Sequence, residues 1–130
     1  MKIFRPITLV ILLLVGFIGY SIYYTFSGSQ YISAKDAKEK IKNNKIKHII
    51  DVRTQSEWNL GHYNSAIHFP NGRMNEESIK KLLPEFNINK NDGILVYCNS
   101  GQRARNAANK LNDAGYKNVF YIAGHYSSIE

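Results

Sequence analysis

The chain has 130 residues, 44% of them hydrophobic, with 17 Lys or Arg against 10 Asp or Glu and one cysteine. That length holds a single domain and little else, and one cysteine excludes both an internal disulfide and a paired-cysteine metal site. The formal charge of +7 comes mostly from a lysine run between Lys35 and Lys47; with no aromatic or arginine motif beside it, the run reads as a solvated helix face, and no nucleic-acid partner is expected.

Lys2 and Arg5 precede Ile7 to Phe26, a stretch without any charged residue. A helix over it would cover about 30 Å, the thickness of a bilayer core, so residues 1–30 are expected to form a transmembrane signal anchor and its linker, with the membrane contacted through residues 7–26. The apolar stretch is longer than the core of a cleaved signal, which favours an uncleaved anchor. The basic pair before it points to a cytoplasmic amino terminus. The lysines after it lie inside a domain long enough to translocate regardless of charge, so residues 31–130 are expected outside the cytoplasm.

Tyr31-Ile32 can open a first strand. Ser33, three residues before Asp36, resembles a capping box for a helix from Ala34 to about Asn43, whose Ala34, Ala37 and Ile41 share a face. Lys47 to Arg53 is the next strand. Thr54 to Leu60 reads as one or two helical turns closed by Gly61, and Ala66 to Pro70 as a short strand stopped by proline. Asn71-Gly72 marks a turn, and Asn75 caps a helix from Glu76 to Leu83 that Pro84 is expected to end.

Gly93 then starts an apolar run, Ile94 to Tyr97, that stops at the lone cysteine. It is short, β-rich and bounded by glycine, as a buried strand is. Cys98-Asn99-Ser100-Gly101-Gln102-Arg103 follows, and a helix from Gln102 to about Asp113 carries Ala104, Ala107, Ala108 and Leu111 on one face. Tyr116 to Ile122 is a last strand, before a short tail. Helices and strands alternating through short connections predict a parallel α/β sheet.

A cysteine at the junction of strand, tight turn and helix start lies where backbone N–H groups and the positive end of the helix dipole converge. Such a place holds an anion and favours thiolate over thiol. Arg103 adds a permanent charge and a planar fork of donors. Asp51, at a strand end, either braces this loop, pairs with Arg53 or caps the next turn. Arg53 and Glu57, four apart, are expected to pair on the surface. His62 is assigned a structural hydrogen bond and Trp58 a place in or at the edge of the core. His48, His68 and His125 lack a carboxylate-and-histidine constellation, so neither metal nor cofactor is expected.

From Tyr31 onward the chain resembles a single-domain rhodanese of the sulfurtransferase superfamily. Asp51-Val52-Arg53, Glu57-Trp58, Gly61-His62, Ala66-Ile67 and Pro70 are similar to one family motif, and Cys98-Asn99-Ser100-Gly101-Gln102-Arg103-Ala104 to the family's active loop. The resemblance implies a small parallel sheet with helices on both faces. It also implies transfer of a sulfane sulfur through a persulfide on Cys98, from a small sulfur-containing anion or a persulfide to a thiol, or to cyanide. The amides of Asn99, Ser100, Gly101, Gln102 and Arg103 would hold the persulfide's charge. Arg103 would orient the donor or bond the loop carbonyls, with Asp51 and Arg53 in support. The related cysteine phosphatases use a loop one residue longer, so the tighter ring here favours sulfur over a phosphoryl group. Tyr63-Asn64-Ser65 and Ala123-Gly124 depart from the family pattern, and the usual tryptophan after Gly124 is missing, which bears on the pocket rim. The alternative to an enzyme is a membrane-anchored module that senses sulfur species or docks a partner; the sequence names no protein partner.

Overall fold

The computed structural model describes residues 6–130, and of Pro6 and residues 20–27 only the backbone. In chain order the elements are α1 (Pro6–Ser27), β1 (Gln30–Tyr31), α2 (Ala34–Lys42), β2 (His48–Asp51), α3 (Gln55–Leu60), β3 (Ile67–His68), α4 (Glu76–Glu85), β4 (Gly93–Tyr97), α5 (Gln102–Asp113) and β5 (Asn118–Tyr121). Three-residue and four-residue 3-10 turns, Asn71–Arg73 and Tyr126–Ile129, complete them. The strands form one sheet in the order β1-β5-β4-β2-β3, and every pairing is parallel.

β4 sits at the centre with every residue buried, which is why it reads as an unbroken apolar run. Its side chains alternate between two cores. Ile94 and Val96 join Ile79 and Leu83 of α4 and Ala104, Ala107, Ala108 and Leu111 of α5. Leu95 and Tyr97 join Ala37 of α2, Ile122 and Ile129. The alanine face lets α5 lie close against the sheet. The site end of the domain is thus the carboxyl edge of β4, where the strand hands over to α5.

α1 carries exposed Ile7, Leu9, Val10, Ile11, Leu12, Leu13, Leu14, Val15, Phe17 and Ile18. Among the described residues no helix is long and apolar enough to cross a membrane. The span expected over residues 7–26 runs past Gly19, so the side chains of its last seven residues, 20–26, lie outside the described ones.

One local expectation is corrected. Pro84 does not end α4 but lies inside its last turn; the helix stops at Glu85, so the missing N–H forfeits a single bond in a turn that was about to end. The short tail after Ile122 docks on the domain, where its 3-10 turn buries Ile129. β2, β3 and β5 are also shorter than expected at both ends.

Gly93 is required by packing. A Cβ there would stand 1.8 Å from the Lys45 carbonyl oxygen, whereas one on Gly72 would meet nothing within 4 Å. Gly93→Ala should lower the unfolding free energy by about 1–3 kcal/mol or more and Gly72→Ala by no more than about 0.5 kcal/mol, as urea titration would measure.

Candidate active site

Cys98 follows β4 directly and is fully buried. Gly101, at φ 94°, turns the chain into α5 as its N-cap. A side chain there would be strained in φ and would place a Cβ 2.8 Å from the Ala123 backbone, so only glycine makes this turn. The turn aims the Gly101 N–H at Cys98 Sγ (3.0 Å), and the Ala104 N–H reaches it from the first turn of α5 (3.4 Å). First-turn amides have no partner within their helix, so the sulfur takes one of those open positions. The sequence placed the cradle on residues 99–103. Of that set only the Gly101 amide bonds Sγ among the described residues, and Ala104, one residue further on, supplies the second donor. Asn99, Ser100 and Gln102 are exposed.

Of the two roles expected of Arg103, the one within the loop is not formed. Arg103 does not reach the loop carbonyls; its two terminal nitrogens donate to both oxygens of Glu57 at 2.7 and 2.9 Å. Asn99 Nδ2 donates to the same carboxylate at 2.6 Å, so Glu57 ties the two ends of the cysteine loop to α3. Thr54 completes its shell, with N–H and hydroxyl donating to Oε1 in a capping box that opens α3. The Arg103 hydrogen bonds, aided by Thr54 against the cost of desolvation, hold the Glu57 carboxyl down at about 2. Arg103 is raised in turn, first by Glu57 and in smaller part by the field of Cys98.

The surface pair expected between Arg53 and Glu57 is therefore not formed. α3 begins at Gln55, so Arg53 is outside the helix and the four-residue spacing does not bring the two together. Arg53 instead turns back on Asp51, two residues earlier in extended chain. Asp51 Oδ2 accepts from Arg53 Nη2 at 2.7 Å and Oδ1 from the Arg53 amide at 2.9 Å, and both groups are buried. The Tyr97 hydroxyl donates to Asp51 Oδ2 at 2.6 Å and accepts from the Tyr63 amide at 3.0 Å. Arg53 also donates to the Gly61 carbonyl at 2.6 Å and stands over the Tyr126 ring. Burial opposes the charge of Arg53, but the bonds and field of Asp51 outweigh it and raise its pKa. Burial first, then Asp51, push the Tyr97 phenol up. Of the three roles open to Asp51, pairing with Arg53 is the one formed; it reaches the loop only through Tyr97, next to Cys98.

His62 Nδ1 donates to the Tyr63 carbonyl at 2.9 Å, and its ring stacks on Trp58, which stacks on His68 in turn. A cleft of about 170 Å³ opens beside the loop, lined by Arg53, Glu57, Leu60, Asn99, His125 and Tyr126. A second, of about 320 Å³, is lined by Thr54, Gln55, Pro70, Asn71, Arg73 and Arg103. Glu57 and the tail residues are what sequence reasoning missed. The Thr54–Glu57 spacing signalled a cap, and nothing local pointed to a partner 46 positions away.

Comparison with known proteins gives a family match to the rhodanese-like domain over residues 33–130. A tRNA uridine(34) hydroxylase of Buchnera aphidicola is 34% identical over 96 residues, which are 72% of this chain and 30% of that protein. Thiosulfate sulfurtransferase 18 of Arabidopsis thaliana is 35% identical over 85 residues, 59% of this chain and 62% of that one. The chain thus spans less than two thirds of the length of either relative. Among solved structures, the human single-domain sulfurtransferase TSTD1 superposes with a TM-score of 0.63 at 19% identity, covering 78% of this chain and 95% of that one.

The clamp has a pH signature. A carboxyl held at about 2 against an ordinary 4.5 stabilises the fold above pH 4.5 and loses that contribution as pH falls toward 2. Acid titration of native protein and Glu57→Gln should therefore show the two stability curves converging across that window.

Proposed function

Because the chain belongs to the rhodanese-like domain family, we propose that it is a membrane-anchored sulfurtransferase with Cys98 as nucleophile and persulfide carrier. The observation that carries this reading is the pair of amides, Gly101 and Ala104, aimed at one sulfur atom. Donors fixed by a strand end and a helix start stabilise charge without reorganising when it forms, and here the charge is that of a thiolate or of the persulfide that replaces it. The Cys98 thiolate attacks the outer sulfur of the donor, the donor's bond to that sulfur breaks, and the leaving group departs with the electron pair. A thiol acceptor then takes the outer sulfur and returns Cys98 to thiolate. Since Sγ is enclosed, the donor enters through the cleft beside Asn99 as the loop yields. Asn99, Ser100, Gly101, Gln102 and Arg103 form the donor's surroundings, and Asp51 and Arg53 hold the wall behind them.

α1 serves as the anchor in this reading. Its exposed apolar side chains and the absence of charge from Ile7 to Phe26 support burial in lipid. The amino terminus is assigned to the cytoplasm and the domain to the other side. A compartment-sensitive reporter fused to the carboxy terminus should report an extracytoplasmic location.

Thiosulfate incubated with the full chain in detergent should add about 32 Da, one sulfur atom, to Cys98. Cyanide should then release thiocyanate, and Cys98→Ser should do neither. An adduct that never turns over would favour the sensing module. Phosphate release from an aryl phosphate would replace sulfur transfer altogether.

A further inference from the structure

Arg53, the one arginine lining the cleft beside Asn99, and the loop arginine Arg103, which lines the neighbouring cleft, are each already answered by a carboxylate. Arg53 is bound to buried Asp51, and Arg103 is held in a two-point pair by Glu57. The other lining residues, Leu60, Gly61, Asn99, His125 and Tyr126, bring no fixed charge, and the His125 ring bonds Ser127. The approach to Cys98 thus offers amide dipoles and almost no net charge. A site of that kind holds one negative charge on sulfur well, and a second negative charge on the donor meets the Glu57 carboxylate with no free cation lining that cleft to offset it.

We propose that Glu57, acting through Arg103, is the specificity-determining residue of this site. By neutralising the loop arginine it selects sulfur donors with a single negative charge, such as alkyl persulfides and thiosulfonates, over dianionic thiosulfate. This rests on Cys98-dependent sulfur transfer as the activity and names the donor class for it.

In either case the chemistry balances. The Cys98 thiolate forms a bond to the outer sulfur while the donor's bond to that sulfur breaks. The bonding pair leaves with sulfite from thiosulfate or with methanesulfinate from methanethiosulfonate, and the persulfide keeps the negative charge. The two donors deliver the same atom and differ by one charge, so the ratio of their kcat/KM values reads charge recognition apart from overall loop geometry.

The experiment measures that ratio, thiosulfate over methanethiosulfonate, for the full chain and for Glu57→Gln, Arg103→Gln, the double variant and Arg73→Gln, with circular dichroism to check folding. One unit charge near the mouth is expected to move the ratio about tenfold. Glu57→Gln should raise it by that factor and Arg103→Gln should lower it. The double variant, neutral again, should return within about twofold of native. The Glu57→Gln gain should shrink as salt is raised. Arg73, in the neighbouring cleft, should leave the ratio within about twofold. Arg103→Gln carries the test with opposite sign should Glu57→Gln not fold. If both donors slow together with the ratio unmoved, Glu57 only fixes the loop's shape and the proposal is wrong. A tenfold drop in Arg73→Gln would overturn it too, by showing that a free cation recruits the dianion. Failure of native protein to form a Cys98 persulfide from either donor would be a different result, because it would remove the sulfur-transfer reading itself.

Discussion

The turn at Gly101 is the constraint on which the rest of the site depends. β4 delivers Cys98 to the edge of the sheet, and within three residues the chain must reverse into α5 without moving away from the sulfur. A left-handed residue pressed against the Ala123 backbone is what makes that possible. The same geometry leaves two N–H groups pointing inward, so the feature that ends the strand is also the feature that holds the anion. Structure and chemistry are one problem here, and both are solved in a loop of four residues between cysteine and arginine.

Around that turn lie two ion pairs of different character. Asp51 and Arg53 are buried, and their desolvation is offset only because nearly every polar atom is bonded, to each other, to Tyr97 and to the Gly61 carbonyl. Such a pair adds little net stability while intact, but leaving one partner alone costs about 3–5 kcal/mol, so it acts as a fixed post against which Tyr97 and Tyr126 are set. Glu57 and Arg103 are partly exposed, and side-chain exposures of 24% and 36% leave them open to screening. That pair bridges α3 to the loop at the solvent edge, where a yielding contact suits a site that has to admit a donor.

Much of this was legible in the order of residues. Ile94 to Tyr97, apolar and bounded by Gly93, could be little else than a buried strand, and Ala104, Ala107, Ala108 and Leu111 could face only a sheet. Asp51 and Arg53, two apart in extended chain, fall on one side by the period of a strand. Glu57's part in the site was not legible, because Arg53, four residues before it, supplied a plausible partner, whereas Asn99 and Arg103 arrive from beyond β4. Pro84 misled because the rule against internal proline weakens in a final turn. The docking of the tail was not legible, because one isoleucine among serines carries no periodic signal, although Ile129 is buried.

A last consequence follows from the short connection between α1 and β1. Only Gly28 and Ser29 separate them, and two residues extend about 7 Å at most. β1 is moreover pinned by its pairing with β5, so no slack can be drawn from the domain side. A domain on so brief a leash cannot roam in search of reactants. With α1 in a bilayer, as proposed, the chemistry at Cys98 would be confined to a thin layer alongside it, and its reactants would have to be produced or delivered within that layer.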